Sequence, residues 1–276
     1  MKKILFYIVI ISIFSSGVIA QDTLLTSKKG IPILPNAGDW AIGIDATPFF
    51  QIFNSYSDIG FNFIKDNVII GKKFIKYNLA HRGKIRLAFN SNTAEQYTIQ
   101  DGQIVPDPTI TVTDKQLTNM TNITIGYGLE RRTGYGRLQV IYGAEILFSY
   151  QSFSESYEYG NSFSMSNPNP TSYNFGQNIL NPGERVTYYE QGLTFSGALR
   201  AFIGIEYFFA PKISIGGEFG WGPSYVNAGD GTQDVQSWDA ASNDVKYDTY
   251  KTGGFSGIRF DNDNFDGAIY LLFHFK

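Results

Sequence analysis

From Gly38 onward, hydrophobic and polar side chains alternate with a period of two, the spacing of a strand with two unlike faces. Over residues 213–222, Ile213, Ile215, Phe219 and Trp221 fall on one face, and Ser214, Gly216, Glu218, Gly220 and Gly222 on the other. Over 193–208, Leu193, Phe195, Leu199, Ile203, Ile205 and Tyr207 stand opposite Thr194, Ser196, Arg200 and Glu206. The last segment sets Phe265, Ile269, Leu271, Phe273 and Phe275 against Asp266, Tyr270 and His274. Eight such segments are predicted, at 38–50, 68–78, 84–98, 118–130, 136–151, 189–208, 213–226 and 264–276. In the second, Lys72, Lys73 and Lys76 blur the alternation.

The connections run about 17, 5, 19, 5, 37, 4 and 37 residues, long and short in strict turn. The short ones carry turn residues: His81-Arg82-Gly83, Thr133-Gly134-Tyr135-Gly136 and Ala210-Pro211-Lys212. An up-and-down meander would place every short turn at one end and every long loop at the other, the layout of transmembrane β-barrels. The pattern predicts an all-β, antiparallel up-and-down barrel of eight strands, or ten if residues 152–188 hold a further hairpin. Periodicity does not say which face is inward, so a secreted sandwich or lipocalin-like barrel with the apolar face inside is the competing fold.

Residues 1–20 weigh on that choice. Lys2 and Lys3 precede an apolar run from Ile4 to Phe14, and Ala20 offers a cleavage site, which is the form of a secretory signal. The run is shorter than the roughly 20 apolar residues of a spanning helix. Residues 21–37 are expected to form an extended periplasmic segment, followed by a barrel domain over 38–276 with long external loops near 152–188 and 227–263. Composition agrees: 16% of residues are aromatic, 17% charged, and there is no Cys. Thiolate metal sites, disulfides and Cys-linked lipid anchors are excluded. A net charge of −3 gives no reason to expect nucleic acid.

The closing stretch Ala268–Lys276, the hairpin from Tyr207 to Gly220 and the opening Gly38–Asp45 together resemble the small OmpA-type outer-membrane β-barrels of Bacteroidota-like bacteria. The chain ends Phe275-Lys276, where such families usually end on Phe. The resemblance implies location in the bacterial outer membrane and contact with lipid and lipopolysaccharide; because the chain stops at the last strand, no OmpA-like peptidoglycan-binding domain is expected to follow.

An eight-stranded barrel is just wide enough for side chains to fill. Arg200 and Glu145 fall at similar depth on neighbouring segments, as do Arg86 and Glu130. With Glu206 and Glu218 they are expected to form a buried charge network, because unpaired interior charge is strongly penalised. Trp40, Tyr207 and Phe273 near the short turns, and Phe49, Phe148, Tyr150 and Trp221 toward the long loops, fit two aromatic girdles. His81 reads as a solvated turn residue and His274 as an interior filler, with no evident Ser partner, so no catalytic residue and no enzyme activity is expected. The stretch Asp261–Gly267 resembles a calcium loop but places Phe273 where a bidentate Glu is needed. No metal site and no cofactor is expected.

The aromatic, Ser- and Asn-rich long loops are the candidate binding surface, with Tyr157, Tyr159, Tyr173 and Trp238 as candidate contacts. The function expected is a structural or interaction role in the outer membrane, as a monomer or as a subunit of a hetero-complex. Partners would dock on the external loops or the N-terminal segment. A narrow porin-like pore is the alternative, ahead of a lipid-modifying barrel enzyme or a secreted binder.

Overall fold

The computed structural model describes residues 25–45, 68–105, 107–172, 175, 183–262 and 268–276. The expected signal, Phe49, Tyr173 and residues 263–267 lie outside them. The described chain forms the strands Trp40–Asp45 (β1), Val68–Lys76 (β2), Leu79–Ile99 (β3), Thr111–Tyr135 (β4), Leu138–Glu158 (β5), Arg185–Ala210 (β6), Ile213–Ala228 (β7), Gly231–Asp239 (β8), Asp244–Thr252 (β9), Phe255–Asn262 (β10) and Ala268–Phe275 (β11).

All eleven strands belong to one antiparallel sheet. Strands β1 to β7 pair in sequence order, β7 pairs with β11, and β11 pairs with β1. The ladder of hydrogen bonds therefore returns to the strand from which it started.

Among the described residues eleven strands form: the eight expected segments appear as β1 to β7 and β11, and the expected loop over 227–263 contains β8, β9 and β10 as well. Strand β6 carries two partners along one edge: Thr194 faces Ala228 of β7, and Glu190 faces Thr232 of β8. Strand β9 then returns along β8. Further down, β10 and β11 share one edge of β7, with Asn262 opposite Trp221 and Ala268 opposite Glu218.

Strand lengths also exceed expectation. Residues 118–130 grow into Thr111–Tyr135, a strand of 25 residues. The extra residues pair as Glu95 with Lys115 and Gln96 with Asp114. Both faces are polar there, so the hydrophobic alternation stops while the backbone ladder continues. The short turns contract for the same reason: β2 ends at Lys76 and β3 begins at Leu79, which moves Arg82 from the expected turn into a strand.

Side chains sort sharply between the two faces. Gly216 and Gly220 are on the inner face, where a Cβ would collide with the Tyr270 ring and the Arg200 guanidinium respectively. The missing side chains make room for those two large groups. On the other face, Ile125, Phe148 and Leu199 stand exposed in neighbouring strands.

Residues 25–39 fold across the short-turn end instead of extending away from it. Thr26 bridges to Pro32, the Ile33 N–H donates to Leu25 O at 2.8 Å, and Ile33 is buried. Lys212 sits in the β6–β7 turn at φ 62°, a left-handed conformation uncommon for a residue with a Cβ. Its N–H donates to Ile33 O at 3.1 Å and its ammonium pairs with Asp39. The Asn36 N–H also donates to Asp39, at 2.7 Å.

Burial raises the pKa of the Asp39 carboxyl, but the Lys212 bond, the Asn36 bond and the Lys212 charge outweigh it and hold the group below the ordinary value of 3.8. A folded-state pKa below the unfolded one adds stability above the unfolded value, and that stability is lost as pH falls through the folded value. Asp39→Asn at neutral pH, or acidification of the wild type below 3.8, should expose residues 25–38 to cleavage while the sheet persists. Limited proteolysis read by mass spectrometry checks this, and equal protection in Asp39→Asn would remove the anchoring role of the carboxylate.

Candidate functional site

Alternate residues of β2 to β7 point into the space enclosed by the ladder and bring a set of charges together there. Lys72 Nζ is 2.7 Å from Glu130 Oε1 and 3.3 Å from Glu206 Oε2. Arg82 reaches Glu218 at 2.6 Å, Glu130 at 3.3 Å and Glu145 at 3.4 Å. Arg200 Nη1 donates to Glu145 at 2.8 Å and to Glu218 at 3.1 Å. Lys84 bonds the same two carboxylates at 2.8 and 3.0 Å. Arg132 Nη2 donates to Glu206 at 3.3 Å. The Glu206 and Glu218 side chains are 0% exposed. Carboxylates bound by two or more cations form a continuous web across the interior, with Phe74 under Arg132 and Phe202 under Arg82 at 4.6 and 4.4 Å from their ring centroids.

The expected Arg200–Glu145 pair is present, with the two residues directly opposite in register. Glu130, Glu206 and Glu218 belong to the same web. Arg86 needs correction as the partner of Glu130: it lies opposite Thr124, whereas Glu130 lies opposite Ala80. The cations that meet Glu130 are Lys72, Arg82 and Arg132. Lys72, Arg82, Lys84 and Arg132 were missed because hydrophobic alternation was the guide. Lys72 sits among lysines that broke the pattern, and Arg82 and Arg132 bordered expected turns. Parity counted from Glu130 along β4 would have placed Arg132 on the inner face.

His274 does have a serine neighbour, contrary to expectation. Its Nε2 is 3.1 Å from Ser214 Oγ and 3.2 Å from Glu206 Oε1, while Ser214 donates to Glu206 at 2.6 Å. In a hydrolytic triad the carboxylate binds one imidazole nitrogen and the nucleophile the other. Here both partners crowd Nε2, His274 Nδ1 has no hydrogen-bond partner, and all three side chains are buried. The trio is built as interior packing. His81 is likewise not in a turn: it lies in β3, stacked on Tyr127 at 5.7 Å and hydrogen-bonded to its hydroxyl.

The outer surface is the reverse of the interior. Ile85, Leu87 and Phe89 on β3 align with Ile125, Ile123 and Thr121 on β4, and those with Phe148, Tyr150 and Ser152 on β5. Phe148, Tyr127 and Ile205 are 60%, 58% and 58% exposed. The apolar row of β5 runs from Leu138 to Tyr150 and gives way to Ser152, Ser154 and Ser156; that of β4 ends between Leu129 and Arg131. Trp40, Tyr207 and Phe273 lie toward the short-turn end of this surface, and Phe148, Tyr150 and Trp221 toward the other. No protein-family model matches the chain, and no curated protein matches it. Its chemistry must be read from this geometry.

Beyond the apolar rows, the long-loop end is itself a packed structure. Tyr157, Val186 and Val235 are buried together beneath Tyr159, Phe175, Tyr189 and Tyr250. Arg185 donates to Asn161 O at 2.8 Å and Ser172 O at 2.9 Å, and its guanidinium stacks over Tyr159 and Phe163 at 4.3 and 4.4 Å. Asp101 accepts from Thr171 Oγ1 at 2.6 Å and Asn167 Nδ2 at 2.8 Å. Of the expected loop contacts, Tyr157 is buried in this cluster and Tyr159 is half-buried against it, with apolar ring partners and hydroxyls bonded to protein acceptors. Trp238 is half-buried on β8, opposite Val245. Among the described residues, no cluster of His, Asp and Glu could hold a metal.

Removing one partner of a buried charge network leaves the others desolvated and unpaired, at about 3–5 kcal/mol. Arg200→Ala should cost that much, and Gly220→Leu should cost a similar amount by displacing the same guanidinium. Denaturant titration with retained strand signal as readout measures both. Equal melting of Arg200→Ala and wild type would show that the web contributes nothing to stability.

Proposed function

We propose that this chain is an integral outer-membrane β-barrel with a structural or interaction role, its interior closed by its own side chains. The observation that carries the reading is the inverted distribution of polarity. Charges meet inside the ring of strands, while Ile, Phe, Leu and Tyr stand exposed around its outside. In water such a surface would drive association, since monomeric soluble proteins rarely expose large contiguous apolar patches. In a bilayer it meets hydrocarbon, and a closed ladder leaves no backbone group unpaired there.

On this reading eight staves line the barrel: β1 to β7, and β10 with β11 as the eighth. The apolar rows on β4 and β5 suit spanning strands of roughly 9–11 tilted residues. Short turns then face the periplasm, and β8, β9 and the Arg185 cluster stand outside the cell. Such a fixed external platform suits recognition of a partner better than transport, because the charge web occupies the path a solute would take.

Fractionated native cells should place the protein in the outer membrane, and its band should migrate faster unheated than heated on gels. Planar bilayers containing it should show no stable unitary conductance. A soluble periplasmic protein with no mobility shift would overturn the barrel reading, and regular conductance steps would replace the closed interior with a pore.

A further inference from the structure

We propose that the short-turn end carries a cationic collar that holds the anionic phosphate headgroups of the inner leaflet of the outer membrane. The inference rests on the membrane reading above and adds a ligand to it. Lys28, Lys29, Lys76 and Arg131 are exposed at that end and face no carboxylate partner among the described residues. The carboxylates found there, Asp39, Glu130 and Glu206, are buried and already bonded to Lys212, Lys72 and Arg132. At the long-loop end the pattern differs, with Lys115 3.8 Å from Glu95 and Lys246 2.7 Å from Asp248. Lys251 and Arg259 at that end also pair with no carboxylate among the described residues, but they stand on a surface that carries Asp230, Asp234, Asp239, Asp244 and Asp248, so the net positive charge is concentrated at the short-turn end.

Its placement points to lipid instead of a soluble polymer. Arg131 follows Tyr127 and Leu129 in the same outward row, at the point where the apolar run of β4 ends, with Tyr142 of β5 opposite it, so it faces sideways from the sheet. Lys73 is held at the same level: its Nζ donates to Gly38 O at 2.7 Å and lies 4.4 Å from the Trp40 ring centroid. Tryptophan at the edge of an apolar band marks the headgroup layer. Lys28 and Lys29 occupy a turn ordered by Ser27 Oγ, which accepts from the Lys29 and Ile31 N–H groups at 3.3 and 3.2 Å. Cations fixed near an anionic surface each strengthen association by roughly fivefold at low salt.

The test reconstitutes the full chain in phosphatidylcholine bilayers carrying a trace of nitroxide-labelled phosphatidylglycerol or phosphatidylcholine. The protein should immobilise the labelled phosphatidylglycerol preferentially, and salt should erase the preference. Lys76→Gln/Arg131→Gln should weaken the preference several-fold, and Lys28→Gln/Lys29→Gln should lower it further, with heat-modified mobility unchanged in every variant. Equal association of both lipids by an inserted, heat-modifiable chain overturns the collar and leaves the barrel standing. So does a preference that survives all four substitutions, or capture of soluble acidic peptidoglycan fragments with no lipid preference. Failure to insert into any bilayer overturns the membrane reading and the collar together.

Discussion

The mutual neutralisation of charges inside the ring is the constraint on which the other features depend. Glu206 and Glu218 are fully enclosed, and a carboxylate removed from water is costly unless cations and hydrogen bonds replace its hydration. Each is reached by several cations from different strands, so the strand order and the register are tied together by one web. A slip of one residue would turn Arg82, Lys84 and Arg200 outward and carry Ile85 and Leu199 inward. Both faces would be wrong at once. The charges therefore act on register as well as on packing.

The same constraint explains the small residues beside them. Gly216 and Gly220 lie opposite the largest interior groups, and their lack of a Cβ lets Tyr270 and Arg200 cross the narrow interior. Below the web, the folded segment over residues 25–39 covers the short-turn end, tied through Lys212 and Asp39. Above it, Arg185 is buried like the interior cations but satisfied by backbone carbonyls and aromatic faces instead of carboxylates. The molecule is thus closed at several levels by different chemistry.

Much was legible in the residues. Alternation along 193–208 and 213–222 separated the two faces correctly, and the Arg200–Glu145 pair followed from strand position alone. Other features were hidden for physical reasons. The polar continuation of β3 and β4 carries no hydrophobic period, yet its backbone hydrogen bonds are as complete as those of the apolar part. The hairpin of β8 and β9 lies in an expected long loop, because its Asp, Thr, Gln, Ser and Lys residues give little hydrophobic period even though Val235 is buried there. Tyr157 and Tyr159 resembled binding residues because composition does not reveal whether a ring is packed. Arg86 was misassigned because a shift of boundary by a few residues at Lys76–Leu79 moves every partner along the strand.

By itself the sequence determined that the chain is β-rich and antiparallel, with two faces of opposite polarity and short turns gathered at one end. Those properties are local: they follow from side-chain period and turn chemistry within a few residues. Tertiary structure decided which face is enclosed, which cations meet which carboxylates, and that the long-loop end is a packed body. Those outcomes depend on contacts between residues far apart in the chain, such as Arg82 with Glu218 at 136 positions and Asp39 with Lys212 at 173, and only closure of the ladder brings them together.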